Sequence, residues 1–174
     1  MSTASPSPFI RHAGPDEYPR LREIEKAGDE MFMAHLGLGP LPNGDFGGHL
    51  IDAAVVLVAG DPAVGFASVT VVDGEAHLAQ LSVDPASGRR GIGTALVAAV
   101  CDWARSQNYA AVSLTAFRDI PWNAPFYTRL GFRVIDQLAP QIAAVRDHER
   151  AQGDDALGAR VAMRKDLLSH SPLS

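Results

Sequence analysis

The stretch from Ala79 to Trp103 constrains this chain more than any other. It opens as a short apolar run ending at Val83, and Pro85 just beyond marks the end of a strand. Residues 87–91 read Ser-Gly-Arg-Arg-Gly, small and basic. From Ile92 the apolar period lengthens. Ile92, Ala95, Leu96, Ala99, Val100 and Trp103 fall on one stripe of a helix. The stretch therefore predicts strand, Gly-rich basic turn and helix in succession.

Such a turn has a physical use. The first N–H groups of a helix have no carbonyl partner within it, and the dipole makes that end positive. Glycines let an anion approach the backbone, and Arg89 and Arg90 add formal charge. The turn suits a phosphate or pyrophosphate; an ordinary βα connection with solvated arginines has the same spacing. No Gly-Lys-Ser/Thr follows, so this is not a Walker A loop, and the third glycine of a dinucleotide fingerprint is missing.

The rest of the chain adds two motifs. A further strand is expected over Ala110 to Phe117, then come Pro121-Trp122-Asn123-Ala124-Pro125-Phe126-Tyr127 and Leu130-Gly131-Phe132. Taken together, Leu81-Ser-Val-Asp-Pro, Arg-Arg-Gly-Ile-Gly-Thr-Ala-Leu and Phe126-Tyr-Thr-Arg-Leu-Gly-Phe resemble the GCN5-related N-acetyltransferase (GNAT) superfamily, strongly over 75–134 and weakly outside. The resemblance implies acetyl-coenzyme A as donor and a primary amine of a small molecule or peptide as acceptor. The expected fold is α/β, a mixed and mostly antiparallel sheet of six or seven strands with helices on both faces.

The resemblance also implies roles for residues. The turn from Arg89 through Arg90, Gly91, Ile92 and Gly93 to Thr94 takes the coenzyme A pyrophosphate. The family usually has Gln or Arg where this chain has Gly88, so Arg89 or Arg90 is expected to supply that charge. The strand before the turn, Leu81, Ser82 and Val83, offers backbone groups to the pantetheine arm as an added strand would, with a backbone N–H facing the thioester oxygen. Tyr127 sits where the family has its proton donor for the leaving thiolate, and Phe126 lies beside it. Asn123 resembles a coenzyme-contacting Asn, though it lies four residues before Tyr127 instead of the usual seven, and helix capping is its plainer role.

For the amine proton the chain offers Glu75 and His77, which alternate on one strand and so share a face. Counted back from Gly91, His77 falls where some family members carry a catalytic Glu or His. An imidazole titrating near its ordinary value of about 6.5 suits that work. A histidine on a solvated strand face is the plainer alternative, Glu25 and Glu30 lie further out, and many family members use a water chain. The remaining histidines show no metal-ligand spacing, and the single Cys101 excludes an internal disulfide and reads as a small packing residue.

Composition fits a globular domain: 47% hydrophobic and 20% charged residues in a 174-residue chain, read as a single domain 1–174 with a disordered tail over 1–8. A net charge of −5 argues against nucleic acid as a partner. No run reaches membrane-spanning length and the start is not a signal peptide, so a cytoplasmic protein is expected. The oligomeric state is open, a homodimer included. An acyl-coenzyme A sensor of the same fold with no catalysis is the alternative function.

Along the chain, Phe9–Arg11 reads as a first strand, and a helix follows Gly14-Pro15-Asp16-Glu17 with Leu21, Ile24, Gly28, Met31 and Phe32 inward. Residues 37–48 read as a loop, and 53–59, 64–72 and 75–83 as a meander whose second turn is Asp73-Gly74. The helix 91–107 then makes a crossover, so the next pairing is expected to be parallel. A short helix over 123–129, a strand over 132–136 and a charged helix over 140–152 follow. In that helix Ile142, Val145 and His148 or Glu149 are expected inward, and a half-buried strand over 157–164 closes the chain.

Overall fold

The structure is a computed structural model that describes residues 8–39 and 47–167. The expected tail and most of the 37–48 loop fall outside the described residues. In chain order the elements are β1 (Ile10–His12), α1 (Tyr18–His35), α2 (Gly48–Ile51), β2 (Val55–Ala59), β3 (Gly65–Val72), β4 (Glu75–Val83), α3 (Ile92–Ser106), β5 (Ala111–Phe117), α4 (Ala124–Arg129), β6 (Arg133–Val134), α5 (Pro140–Gln152) and β7 (Arg160–Asp166). The strands form one seven-stranded sheet in the order β1-β2-β3-β4-β5-β7-β6. The β1–β2, β2–β3, β5–β7 and β6–β7 pairs are antiparallel. β4 and β5 are parallel, paired at Ala76↔Val112 and His77↔Ser113. This is the mixed sheet with a crossover that the sequence predicts. No helix among the described residues is long and apolar enough to cross a membrane.

The chain forms two compact units interleaved in sequence, one from Met1–Thr70 with Ala79–Val100, the other from Val71–Leu78 with Cys101–Ser174. In the first unit Leu21 and Ile24 of α1 join Leu50, Val56, Val58, Ala63 and Phe66 in one core. Leu21, Ile24 and Phe66 are fully buried, each such side chain contributing about 1.5–3 kcal/mol. The face of α1 is not the expected one at its far end. Met31 is 43% exposed, while Met33 and Glu25 are buried. Glu25 is tolerated there because His49 Nε2 lies 3.0 Å from its carboxylate, and His49 Nδ1 lies 2.7 Å from Ser68 Oγ. Glu17 closes the start of the segment by accepting from the Gly14 N–H at 2.8 Å and from Arg11.

The second unit packs α5 on one face of its strands. Ile142 and Glu149 point inward as expected, His148 being the exposed one of its pair, but Val145 is only half-buried and Arg146 is buried instead. α5 begins after Ala139, which has no capping side chain. The orphan N–H groups of its first turn are met from elsewhere in the chain: those of Gln141 and Ile142 both donate to Asp73 at 2.9 Å. Asp73 and Gly74 both have positive φ, 53° and 72°, the two-residue turn that matches strand twist in a hairpin. One residue therefore closes the β3–β4 hairpin and caps α5.

Replacing Asp73 by Ala removes both acceptors and strains the turn. We expect Asp73→Ala to lower unfolding free energy by about 1–2 kcal/mol, the scale of a lost N-cap, and Asp73→Asn to lose less because Asn keeps one oxygen and tolerates positive φ. Denaturant midpoints of the two variants, with hydrogen exchange over the first turn of α5, check this.

Candidate active site

In the first unit β4 leads into the basic turn. Asp84 anchors it: its carboxylate accepts from the Ala86 N–H at 3.1 Å and from Arg20 Nη2 at 2.9 Å. These bonds, the first from the backbone and the second from Arg20, hold its carboxyl below the usual range. A single helical turn, Pro85–Ser87, follows. Arg89 and Gly91 then take positive φ, 62° and 74°, whereas Gly88 stays at −62°. The freedom of Gly88 is thus not used, and a non-glycine residue holds the left-handed conformation in its place. The first helical bond of α3 runs from the Ala95 N–H to the Gly91 carbonyl at 3.0 Å. The N–H groups of Ile92, Gly93 and Thr94 precede it, beside the exposed side chains of Arg89 and Arg90. Partnerless donors at a helix N-terminus with two guanidinium groups next to them make an anion site.

Along β4, Leu81 and Val83 are half-buried and Ser82 is buried, its Oγ accepting from the Gln80 amide at 2.9 Å. The apolar stripe of α3 is turned slightly from its expected course. Ile92, Leu96, Val97, Val100, Cys101 and Ala104 are buried, and Trp103 is instead half-buried against Tyr109. Cys101 packs as a small core residue, and burial raises its thiol pKa.

In the second unit the register brings His77, Ser113, Arg164 and Arg133 into one row across four strands, and directly opposed residues share a face. On that face lie also Glu75, Thr115, Phe117 and Arg160. His77 is buried, and its Nδ1 lies 2.8 Å from the Ser113 hydroxyl. It is therefore not on a solvated face. Burial pushes its pKa down to about 4, against the opposing pull of Glu149 and Asp73. An imidazole titrating near its ordinary value, expected from sequence, is not what the fold provides. Glu75 is held by Arg164 through paired bonds of 2.5 and 3.2 Å, so its oxygens are already engaged. A cavity of about 580 Å³ opens here, lined by Glu75, Ser113, Arg164, Asp136 and Arg133 with apolar Ile135 and Ile142.

Beneath α5 the polar side chains are densely paired. Glu149 accepts from Thr115 Oγ1 at 2.6 Å, Arg146 at 2.8 Å and Arg160 at 2.5 Å. Burial alone would raise its pKa, and these bonds outweigh it. Arg160 also lies 4.4 Å from the centre of the Phe117 ring. None of Ser113, Arg160 and Arg164 stood out in the sequence, and Glu149 was expected only as an inward residue of its helix. The one available signal was the alternation of Ser113 and Thr115 in an otherwise apolar strand.

Tyr127 lies in α4, buried, its ring edge-on to Phe126 at 5.1 Å and to Phe132 at 5.7 Å. Burial raises the pKa of its hydroxyl strongly. No described residue hydrogen-bonds the hydroxyl. Asn123 does not cap α4 with its side chain; its Oδ1 accepts from the Phe117 N–H at 2.8 Å and closes the end of β5. Among the described residues there is no group of three or more His, Cys, Asp or Glu side chains that could hold a metal.

Fold and turn together define an α/β protein with a basic, glycine-bearing turn leading into the N-terminus of α3. A model of the acetyltransferase (GNAT) family matches residues 18–132, and the chain belongs to that family. Solved structures share its fold. The paiA N-acetyltransferase of Thermoplasma acidophilum, in complex with coenzyme A, is similar at TM-score 0.64 and 16% identity over 91% of this chain and 98% of that one. A GNAT-family acetyltransferase of Staphylococcus aureus is similar at 0.65 and 16% over 92% and 99%. A GNAT-family acetyltransferase of Brucella melitensis, in complex with acetyl-CoA, is similar at 0.52 and 18% over 76% and 91%.

The burial of His77 has a measurable consequence. Its folded pKa of about 4 lies below the ordinary 6.5, so the unfolded chain binds the extra proton first as pH falls. The contribution is fully present above pH 6.5 and is lost as pH falls toward 4, by on the order of 3 kcal/mol at 1.36 kcal/mol per unit. His77→Gln should flatten the stability profile over that window, read by urea unfolding at stepped pH; an unchanged slope would show that His77 is not buried neutral.

Proposed function

We propose that this chain is an acetyl-coenzyme A-dependent N-acetyltransferase that transfers an acetyl group to a primary amine of a small molecule or peptide, working as a single domain. The observation that carries this reading is the α3 N-terminus, with its unbonded N–H groups and two arginines, in a member of the acetyltransferase family. Coenzyme A- and acetyl-CoA-bound relatives of the same fold support it.

In this reading the backbone of residues 89–94 holds the pyrophosphate, and Leu81 and Val83 offer main-chain groups to the pantetheine arm. A β4 backbone N–H faces the thioester oxygen, where negative charge grows as the amine attacks. Tyr127 returns a proton to the leaving thiolate. Burial keeps its hydroxyl protonated at any working pH, but it also makes Tyr127 a weaker acid than an ordinary tyrosine. His77 takes the amine proton, with Glu75 second because Arg164 already engages its oxygens. Asn123 and Phe126, just before and within α4, contact the coenzyme in the same reading.

Two measurements test the reading. Gly91 has positive φ, so Gly91→Val strains the turn that leads into the orphan N–H groups. Calorimetry should show coenzyme A affinity falling at least tenfold; equal affinity would remove the turn from the site. A thiol-release assay with acetyl-coenzyme A against a panel of amines should identify an acceptor. With that amine, Tyr127→Phe should lower kcat by about 100-fold, the lower end for general acid catalysis, and leave donor binding unchanged. Donor binding with no thiol release from any amine would favour a non-catalytic sensor.

A further inference from the structure

The two ring nitrogens of His77 stand in different surroundings. Nδ1 lies 2.8 Å from Ser113 Oγ. No described residue hydrogen-bonds Nε2. A neutral imidazole carries a proton on one nitrogen only, and the partner of the other decides which. If the Ser113 hydroxyl donates to Nδ1, the ring proton sits on Nε2, which then has no lone pair for an incoming proton. If Nδ1–H donates to Oγ, Nε2 is bare, and the hydroxyl proton must find another acceptor.

Water in the adjoining cavity can be that acceptor. Ser113 lines the cavity, whose wall carries the carboxylates of Asp73, Glu75 and Asp136. Of the cations facing the same space, Arg164 is engaged by Glu75 and Asp166, and Arg133 lies 3.5 Å from Asp166. Asp73 is occupied in capping α5. Asp136 has no hydrogen-bond or ion-pair partner among the described residues, and the cavity admits water. From α5, Glu149 adds negative charge that favours an imidazolium at His77.

We propose that Ser113 is the positioning residue of His77: it accepts the Nδ1–H, fixes that tautomer and leaves Nε2 as the atom that takes the amine proton. This rests on the reading of His77 as the base. In the step the ammonium N–H bond breaks, its electron pair stays on the amine nitrogen, and a bond from Nε2 to the proton forms. The imidazolium afterwards loses that proton to water from the same nitrogen. Because His77 is buried, it does not hold the charge, and the bare form is restored at each turnover.

Long-range ¹⁵N–¹H NMR of the full chain labelled at histidine tests the tautomer directly, with His77→Gln identifying the signals. In the wild type at pH 7, Nε2 should resonate as a bare imidazole nitrogen and Nδ1 as a protonated one. In Ser113→Ala the pattern should move toward the Nε2–H form that imidazole prefers in water, and Ser113→Thr should restore it. A protonated Nε2 in the wild type, or an unchanged pattern in Ser113→Ala folded by circular dichroism, would overturn the proposal. Turnover of the amine found by thiol release separates the two readings. Ser113→Ala should lower kcat by about 10- to 100-fold, the scale for loss of a histidine's orienting partner, with KM for acetyl-coenzyme A unchanged and Ser113→Thr active. Full activity in His77→Gln would sink the base itself while the spectra still report the tautomer. Full activity in Ser113→Ala with an inactive His77→Gln would sink Ser113 alone.

Discussion

The backbone at the start of α3 cannot satisfy itself. The N–H groups of Ile92, Gly93 and Thr94 come before the first helical bond, and two positive-φ residues aim the chain into the helix. Water can fill that role, but an anion fills it better, because the helix dipole and two arginines add to the same field. Much of the first unit serves this arrangement. Arg20 of α1 holds Asp84, Asp84 holds the turn before the arginines, and the buried stripe from Ile92 to Val100 fixes the helix beneath it.

The second unit solves a different problem, which is how to keep charged groups under a helix. Glu149 has three donors, Arg146 has two carboxylates, and Arg164 has Glu75 and Asp166. Removing one member of such a group leaves its partner charged and buried, which costs about 3–5 kcal/mol. The network is therefore rigid in composition even though its net contribution is small. His77 stands at its edge, joined to the neutral hydroxyl of Ser113, whereas both arginines of its row have carboxylate partners.

How legible all this was depended on whether a feature is local. The hairpin at Asp73-Gly74, the glycine turn and the helix that follows it are decided by residues near each other in sequence, and their positions were readable from period and turn chemistry. The parallel β4–β5 pair followed from the crossover. The inner face of α5 was misread because burial was assigned to the apolar Val145 over the charged Arg146, and only the fold shows that Glu149 and Asp155 satisfy that guanidinium. His77 was misread for the same reason. Its spacing to Gly91 is written in the sequence, but its desolvation is set by α5 and β5, which lie far along the chain. Asn123 adds a third case: it stands at the start of a helix, yet its oxygen is taken by a strand end.

Burial acts on the two proton-handling candidates in opposite directions and reaches the same result. It lowers the pKa of His77 and raises that of Tyr127, because in each case the low-dielectric surroundings disfavour the charged form. Both side chains are thereby neutral across the physiological range, the imidazole able to accept and the phenol able to donate. A solvated imidazole would titrate near that range and spend part of its time charged, whereas the phenol is neutral there even when solvated. The cost is driving force, since a base of low pKa holds a proton poorly and an acid of high pKa releases one reluctantly. That cost is smallest when neither group keeps the charge. In the proposed reaction the ammonium proton then passes through His77 to water, and the phenolic proton leaves only as the thiolate forms. On this view the burial that weakens each group thermodynamically is also what keeps the pair in its working protonation states before each turnover.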